Sequence, residues 1–159
     1  MRRTLLFLFL IPALAVSASF GQTTADDYFN RAVDRQKDGD PDGAIADYTK
    51  AIECAPENAS AYYNRGNARR EKGDLAGSIA DLTKVIDLNP KHARAYNNRG
   101  KTKFDQKDLA GAVADYSKSI ELDPRSAETY KKRAIAYRVL KKIALAEADE
   151  RRAAELDSR

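Results

Sequence analysis

Pro56, Pro90 and Pro124 stand at equal intervals of 34 residues. Counting back from them, Ala25, Ala59, Ala93 and Ala127 open four units, 25–58, 59–92 and 93–126 of that length and 127–159 one residue shorter. An aromatic follows three residues into each: Tyr28, Tyr62, Tyr96 and Tyr130. The second halves run in parallel as "AIADYTKAIECAP", "SIADLTKVIDLNP" and "AVADYSKSIELDP". A long period repeated in phase restricts the fold severely, because each unit must bury its apolar face against its neighbours.

Each unit reads as two helices. The first runs from the opening alanine for about four turns, and "DGDP", "KGDL" or "QKDL" then breaks it in the first three units. Asp40, Asp74 and Asp108 are suited to cap the second helix, with Pro41 at a first helical position. Leu75, Ile79, Leu82, Val85, Ile86 and Leu88 recur there at helical spacing. The closing proline blocks simple continuation, and Thr24, Asn58, His92 and Ser126 are placed to cap the next first helix.

Small residues recur where the two helices of a unit should touch. They are Ala32, Gly66, Gly100 and Ala134 in first helices, and Ala44, Ser78, Ala112 and Ala146 in second helices. Tyr48, Leu82 and Tyr116 supply a large residue to the second helix, where the fourth unit has Glu150. With its aromatic, small contacts, large residue and closing proline, this pattern resembles the tetratricopeptide repeat (TPR) family over residues 25–159. The resemblance implies an all-α fold, a right-handed α-solenoid of helix–turn–helix hairpins. The charged last helix, "ALAEADERRAAELDSR", suits the polar outer face that a terminal repeat needs.

Arg31, Arg65, Arg99 and Arg133 stand where the family often has leucine. Asp47, Asp81, Asp115 and Asp149 recur with the same period in the second helices. An arginine and an aspartate repeating in partner helices point to a ladder of bidentate ion pairs.

The residue before each arginine reads differently. Asn30, Asn64, Asn98 and Lys132 occupy a position that in TPR proteins commonly faces the concave groove, where an asparagine offers a peptide both donor and acceptor. Asn67 and Lys101 lie one turn further on and Arg94 one turn before Asn98, so they can share that face. Tyr63 adds an aromatic contact. Some TPR domains hold a C-terminal carboxylate in a clamp of Lys and Asn. Asn67, Asn98 and Lys132 fall on such positions, but Tyr63 and Glu128 stand where the clamp has lysines. The peptide-binding set that the resemblance implies is therefore Asn30, Tyr63, Asn64, Asn67, Arg94, Asn98, Lys101 and Lys132. Seven basic residues between Arg125 and Lys142, against Glu128 alone, mark a second surface that could attract an acidic partner or an anionic membrane.

Residues 1–21 read "MRRTLLFLFLIPALAVSASFG". A basic start at Arg2 and Arg3, an apolar stretch from Leu5 to Val16 and then small residues form the pattern of a secretory signal peptide. Residues 22–159 are then an exported TPR domain, periplasmic in a bacterium. Removal of Arg2 and Arg3 lowers the basic count from 28 to 26 against 24 acids, so the high pI says little about the exported form. Cys54 is the only cysteine, which rules out an intramolecular disulfide.

Nothing in the sequence assembles the groups an enzyme needs. His92 is the single histidine and sits in a turn, no metal-ligand spacing occurs, and Gly43, Gly77 and Gly111 are isolated rather than parts of a phosphate loop. The expected function is that of a non-enzymatic scaffold or adaptor without cofactor or metal. Its partner is another protein, offering a peptide or a helix segment. No nucleic acid is expected; self-association through the terminal units is the structural alternative.

Overall fold

A computed structural model of the chain describes residues 23–158. The expected signal peptide, at 1–21, lies outside the described residues. The described residues form eight helices and no strand: α1 Ala25–Lys37, α2 Pro41–Cys54, α3 Ala59–Glu71, α4 Leu75–Leu88, α5 Ala93–Asp105, α6 Leu109–Leu122, α7 Ala127–Val139 and α8 Ile143–Asp157. Each odd helix packs on the even helix after it, and each even helix on the next odd one. The result is an α-solenoid in which contacts run almost wholly between neighbours.

Local chemistry sets the helix ends. Thr24 and Asp27 form a reciprocal capping box on α1. Asn58, His92 and Ser126 accept from the backbone amides of Ala61, Ala95 and Thr129. Asp40, Asp74 and Asp108 each accept from the amide three residues on, at Gly43, Gly77 and Gly111, in every case at 2.9 Å. A Cβ at any of these glycines would collide with the capping carboxylate. The hairpin turns need a left-handed residue, supplied by Gly39 (φ 79°) and Gly73 (φ 83°), then by Lys107 (φ 70°) and Lys141 (φ 59°).

The core is a row of small clusters between helices. Ala32, Ala44 and Tyr48 meet with Phe29 between α1 and α2, and Ala112, Tyr116 and Ala136 with Phe104 further along. Close approach is tightest at Gly100, where a Cβ would meet the Tyr116 ring at 2.9 Å and the Ala112 carbonyl at 3.2 Å. At Gly66 the nearest atom, in the Leu82 side chain, is 3.2 Å away. An alanine in a helix gains about 1 kcal/mol over glycine, and overpacking costs about 1–3 kcal/mol. Gly66→Ala is therefore expected to leave urea unfolding nearly unchanged, whereas Gly100→Ala lowers the midpoint. Equal midpoints for the two variants would refute the close-approach argument at Gly100.

In place of a large apolar residue on α8, Glu150 is exposed and accepts two bonds from the Arg138 guanidinium, at 2.7 and 2.6 Å.

Candidate functional site

Four arginines of the odd helices each grip the aspartate sixteen residues later. Nε and Nη2 reach the two carboxylate oxygens of Asp47 from Arg31, Asp81 from Arg65, Asp115 from Arg99 and Asp149 from Arg133, at 2.6–2.9 Å. The third nitrogen crosses to the preceding hairpin. Nη1 donates from Arg65 to Thr49, from Arg99 to Thr83 and from Arg133 to Ser117, at 2.9–3.0 Å. Each guanidinium also lies over the aromatic three residues before it, Tyr28, Tyr62, Tyr96 or Tyr130, at 5.1–5.8 Å. The Arg31 bonds hold the Asp47 carboxyl below the ordinary aspartate value, and the Asp115 and Asp149 bonds hold Arg99 and Arg133 more firmly protonated. The ladder ties helix to helix and hairpin to hairpin. Its charged groups are satisfied internally, so it is framework.

Beside Arg99 and Arg133, Asn98 and Lys132 turn instead to a surface shared by α5, α7 and, through Tyr63, α3. There a cavity of about 370 Å³ opens, lined among others by Tyr63, Arg94, Asn97, Asn98, Asp123, Ser126, Glu128, Thr129 and Lys132. The Asn98 amide nitrogen donates to the Tyr63 hydroxyl at 2.9 Å and to Asn67 Oδ1 at 2.8 Å, linking α5 back to α3. Lys132 links α7 to α5, donating to Asn97 Oδ1 at 2.8 Å and pairing with Glu128 at 2.8 Å. That lysine draws the Glu128 carboxyl below its usual value. The His92 ring stacks beside Tyr63 at 5.3 Å. Among the described residues, Arg94 has no ion pair and the Asn98 side-chain oxygen accepts no bond, so both remain open to a ligand.

Of the eight residues expected from sequence, Tyr63, Arg94, Asn98 and Lys132 line this cavity, and Asn67 joins it through Asn98. Lys101 lines a smaller, apolar cavity of about 200 Å³ with Phe104, Tyr116 and Ile135, to which Lys132 also contributes. Asn30 lies exposed on α1 and Asn64 beside the buried Tyr48 hydroxyl, both away from the cavity. Asn97 was not among the expected residues, although it holds Lys132 and donates to Thr129 at 2.6 Å. Its signal was its position, one residue before Asn98 and equivalent to Tyr63 in the unit before.

The basic stretch 125–142 is largely paired. Lys131 meets Asp157, Lys132 meets Glu128, Arg133 meets Asp149 and Arg138 meets Glu150. Among the described residues, no group of three or more His, Cys, Asp or Glu side chains is arranged to hold a metal ion. None of the helices is long and apolar enough to cross a membrane.

Comparison with known proteins matches this architecture. A crystal structure of MamA superposes with a TM-score of 0.82 at 23% identity, over 84% of this chain and 78% of that one. MamA 41-end from Desulfovibrio magneticus RS-1 gives 0.82 at 18% identity, over 86% and 77%. The first TPR of Spaghetti (RPAP3), bound to the HSP90 peptide SRMEEVD, gives 0.72 at 27% identity, over 75% and 94%. Curated proteins yield no match. A family model described as TPR repeat matches residues 37–69 and 66–107, and one described as tetratricopeptide repeat matches 93–126. These matches span more than half of the sequence, on a frame of paired helices tied by a periodic ladder, and the chain belongs to the tetratricopeptide repeat family.

Proposed function

We propose that this TPR protein is an exported scaffold or adaptor whose inner surface, across α3, α5 and α7, receives a peptide or helix segment of a partner protein. The observation that carries the reading is the cavity in which Tyr63, Asn98 and Lys132 are fixed by hydrogen bonds between successive odd helices, leaving the Asn98 oxygen and Arg94 open. Side chains already held in place lose little freedom when a ligand arrives, which favours binding. The peptide held by the RPAP3 domain supports a peptide as the ligand class. Glu128 changes what the groove selects. It occupies Lys132, so Arg94 is the cation left for a ligand carboxylate. Export rests on the basic and apolar pattern of residues 1–21.

Cross-linking pull-down from the cell envelope tests both parts. Removing Arg94 and Asn98 together deletes the open cation and a hydrogen-bonding side chain, so the Arg94→Ala/Asn98→Ala variant should bind its principal partner about tenfold or more weakly. An unchanged partner list would count against the groove, and recovery of the protein only from the cytoplasm, with its N-terminus intact, would count against export.

A further inference from the structure

The turn joining α7 to α8 differs from the other three hairpin turns in cap, charge and exposure. In the first three, an aspartate caps the second helix and a glycine three residues later leaves room for its carboxylate. In the fourth, Lys142 stands at the cap position with no side-chain hydrogen bond, and Leu145 stands where the glycine was. Both members of the cap are exchanged together. A lysine facing the positive end of a helix works against that helix, so stability does not account for the exchange.

Charge and exposure change with it. Residues 37–43 carry one lysine against three aspartates, 71–77 one lysine against a glutamate and an aspartate, and 105–111 one lysine against two aspartates. Residues 139–145 carry two lysines and no acid, and no acid stands anywhere between Glu128 and Glu147. Among the described residues, Lys141 and Lys142 form no ion pair, unlike Lys131, Lys132, Arg133 and Arg138 on α7. Among the described residues, the exposed large hydrophobics are Ile135 (54%), Val139 (54%), Ile143 (45%) and Leu145 (48%), all in this last unit and three of them at the turn. Only Ile135 in this group lines either cavity described above. The other three stand within residues 139–145, at the turn itself.

We propose that this turn docks on a bilayer surface carrying anionic lipid. Val139, Ile143 and Leu145 enter the boundary between headgroups and acyl chains, and Lys141 and Lys142 pair with the lipid phosphates. Unpaired lysines beside exposed aliphatic side chains match the chemistry of such an interface. The contact is small, so attachment is weak and reversible. It holds the chain by its last unit and leaves the groove of α3, α5 and α7 open.

Vesicle sedimentation tests this directly, with phosphatidylcholine alone and with about one-third phosphatidylglycerol. The chain contains no tryptophan, so Leu145→Trp gives a single emitter at the turn. Because residues 1–21 are themselves apolar, every comparison is between turn variants in the same background. The parent should sediment preferentially with the anionic vesicles, and the emission of the introduced tryptophan should shift to the blue when its variant binds them. Replacing Lys141 and Lys142 by Asn should weaken binding about fivefold per lysine. Lys142→Asp/Leu145→Gly rebuilds the cap and glycine of the other turns, so this variant should keep its Tm yet lose preferential sedimentation. The proposal is overturned if anionic vesicles bind no better than neutral ones, if this recapped variant sediments like the parent, or if the bound tryptophan shows no shift. Loss of a protein partner from the recapped variant, without any vesicle binding by the parent, would reassign the turn to that protein.

Discussion

Asp81→Ala should destabilise the chain by about 3–5 kcal/mol in urea unfolding, the cost of leaving a buried charge without its partner. The Asp81 carboxylate is 3% exposed and accepts Arg65 Nε and Nη2 at 2.9 and 2.7 Å, and Arg69 Nη1 at 2.9 Å. Once it is gone, Arg69 can turn outward, since a quarter of its side chain already meets solvent. Arg65 cannot. It is 9% exposed, covered by Tyr62 and tied across to Thr49. The first rung supplies the control. Asp47 is equally buried, but Arg31 keeps 47% of its side chain in solvent and can rehydrate once released. Asp47→Ala should therefore cost clearly less than Asp81→Ala. Removing Arg65 as well as Asp81 should cost less than the sum of the single losses, because the second change removes the stranded charge. Additive single and double variants, or equal losses at the two rungs, would show that the rungs do not act as pairs.

Tyr48→Ala should cost a comparable amount, about 3–5 kcal/mol, through loss of buried surface and the cavity left behind. Tyr48 is fully buried between Ala32 and Ala44, with the Phe29 ring tilted against it at 5.7 Å. Phe29 in turn contributes to the next cluster, around Ala51, Ile52 and Ala61, so the defect reaches the junction with the second hairpin. The hydroxyl matters less. It donates to Gln36 Oε1 at 3.1 Å, and Gln36 is only half-buried and can bond water instead. Tyr48→Phe should therefore stay within about 1 kcal/mol of the parent, the net contribution of an ordinary hydrogen bond. Chemical unfolding of the two variants side by side separates ring from hydroxyl, and a Phe variant as unstable as the Ala variant would refute this account.

The frame was legible in the sequence because its causes are local and repeated. An aspartate three residues before a glycine, a proline after an apolar run and a small residue facing a small residue each act within one unit and recur 34 residues on. The in-unit rungs were legible for the same reason, since Arg65 and Asp81 recur together as Arg99 and Asp115. The cross-bonds from Arg65 to Thr49 and from Arg99 to Thr83 were not, although Thr49, Thr83 and Ser117 also recur. Those contacts depend on how one hairpin rotates against the next, which no local pattern encodes. The groove was legible in part. Asn98 and Lys132 follow from the repeat position, but Asn97 enters because Lys132 reaches back across 35 residues to it. The acids that meet the basic run 125–142 stand after Ala146 in the sequence, but which base each meets, Asp149 with Arg133, Glu150 with Arg138 and Asp157 with Lys131, depends on how α7 packs on α8.

The cross-bonds also make copy number a separable property. Every junction uses the same guanidinium nitrogen and a hydroxyl at the same place in the preceding unit. Excision of residues 59–92 would bring Arg99 to Thr49, the oxygen that Arg65 uses now, and the ladder would close one rung shorter. Length in this frame is set by counting, and the joints are standard parts.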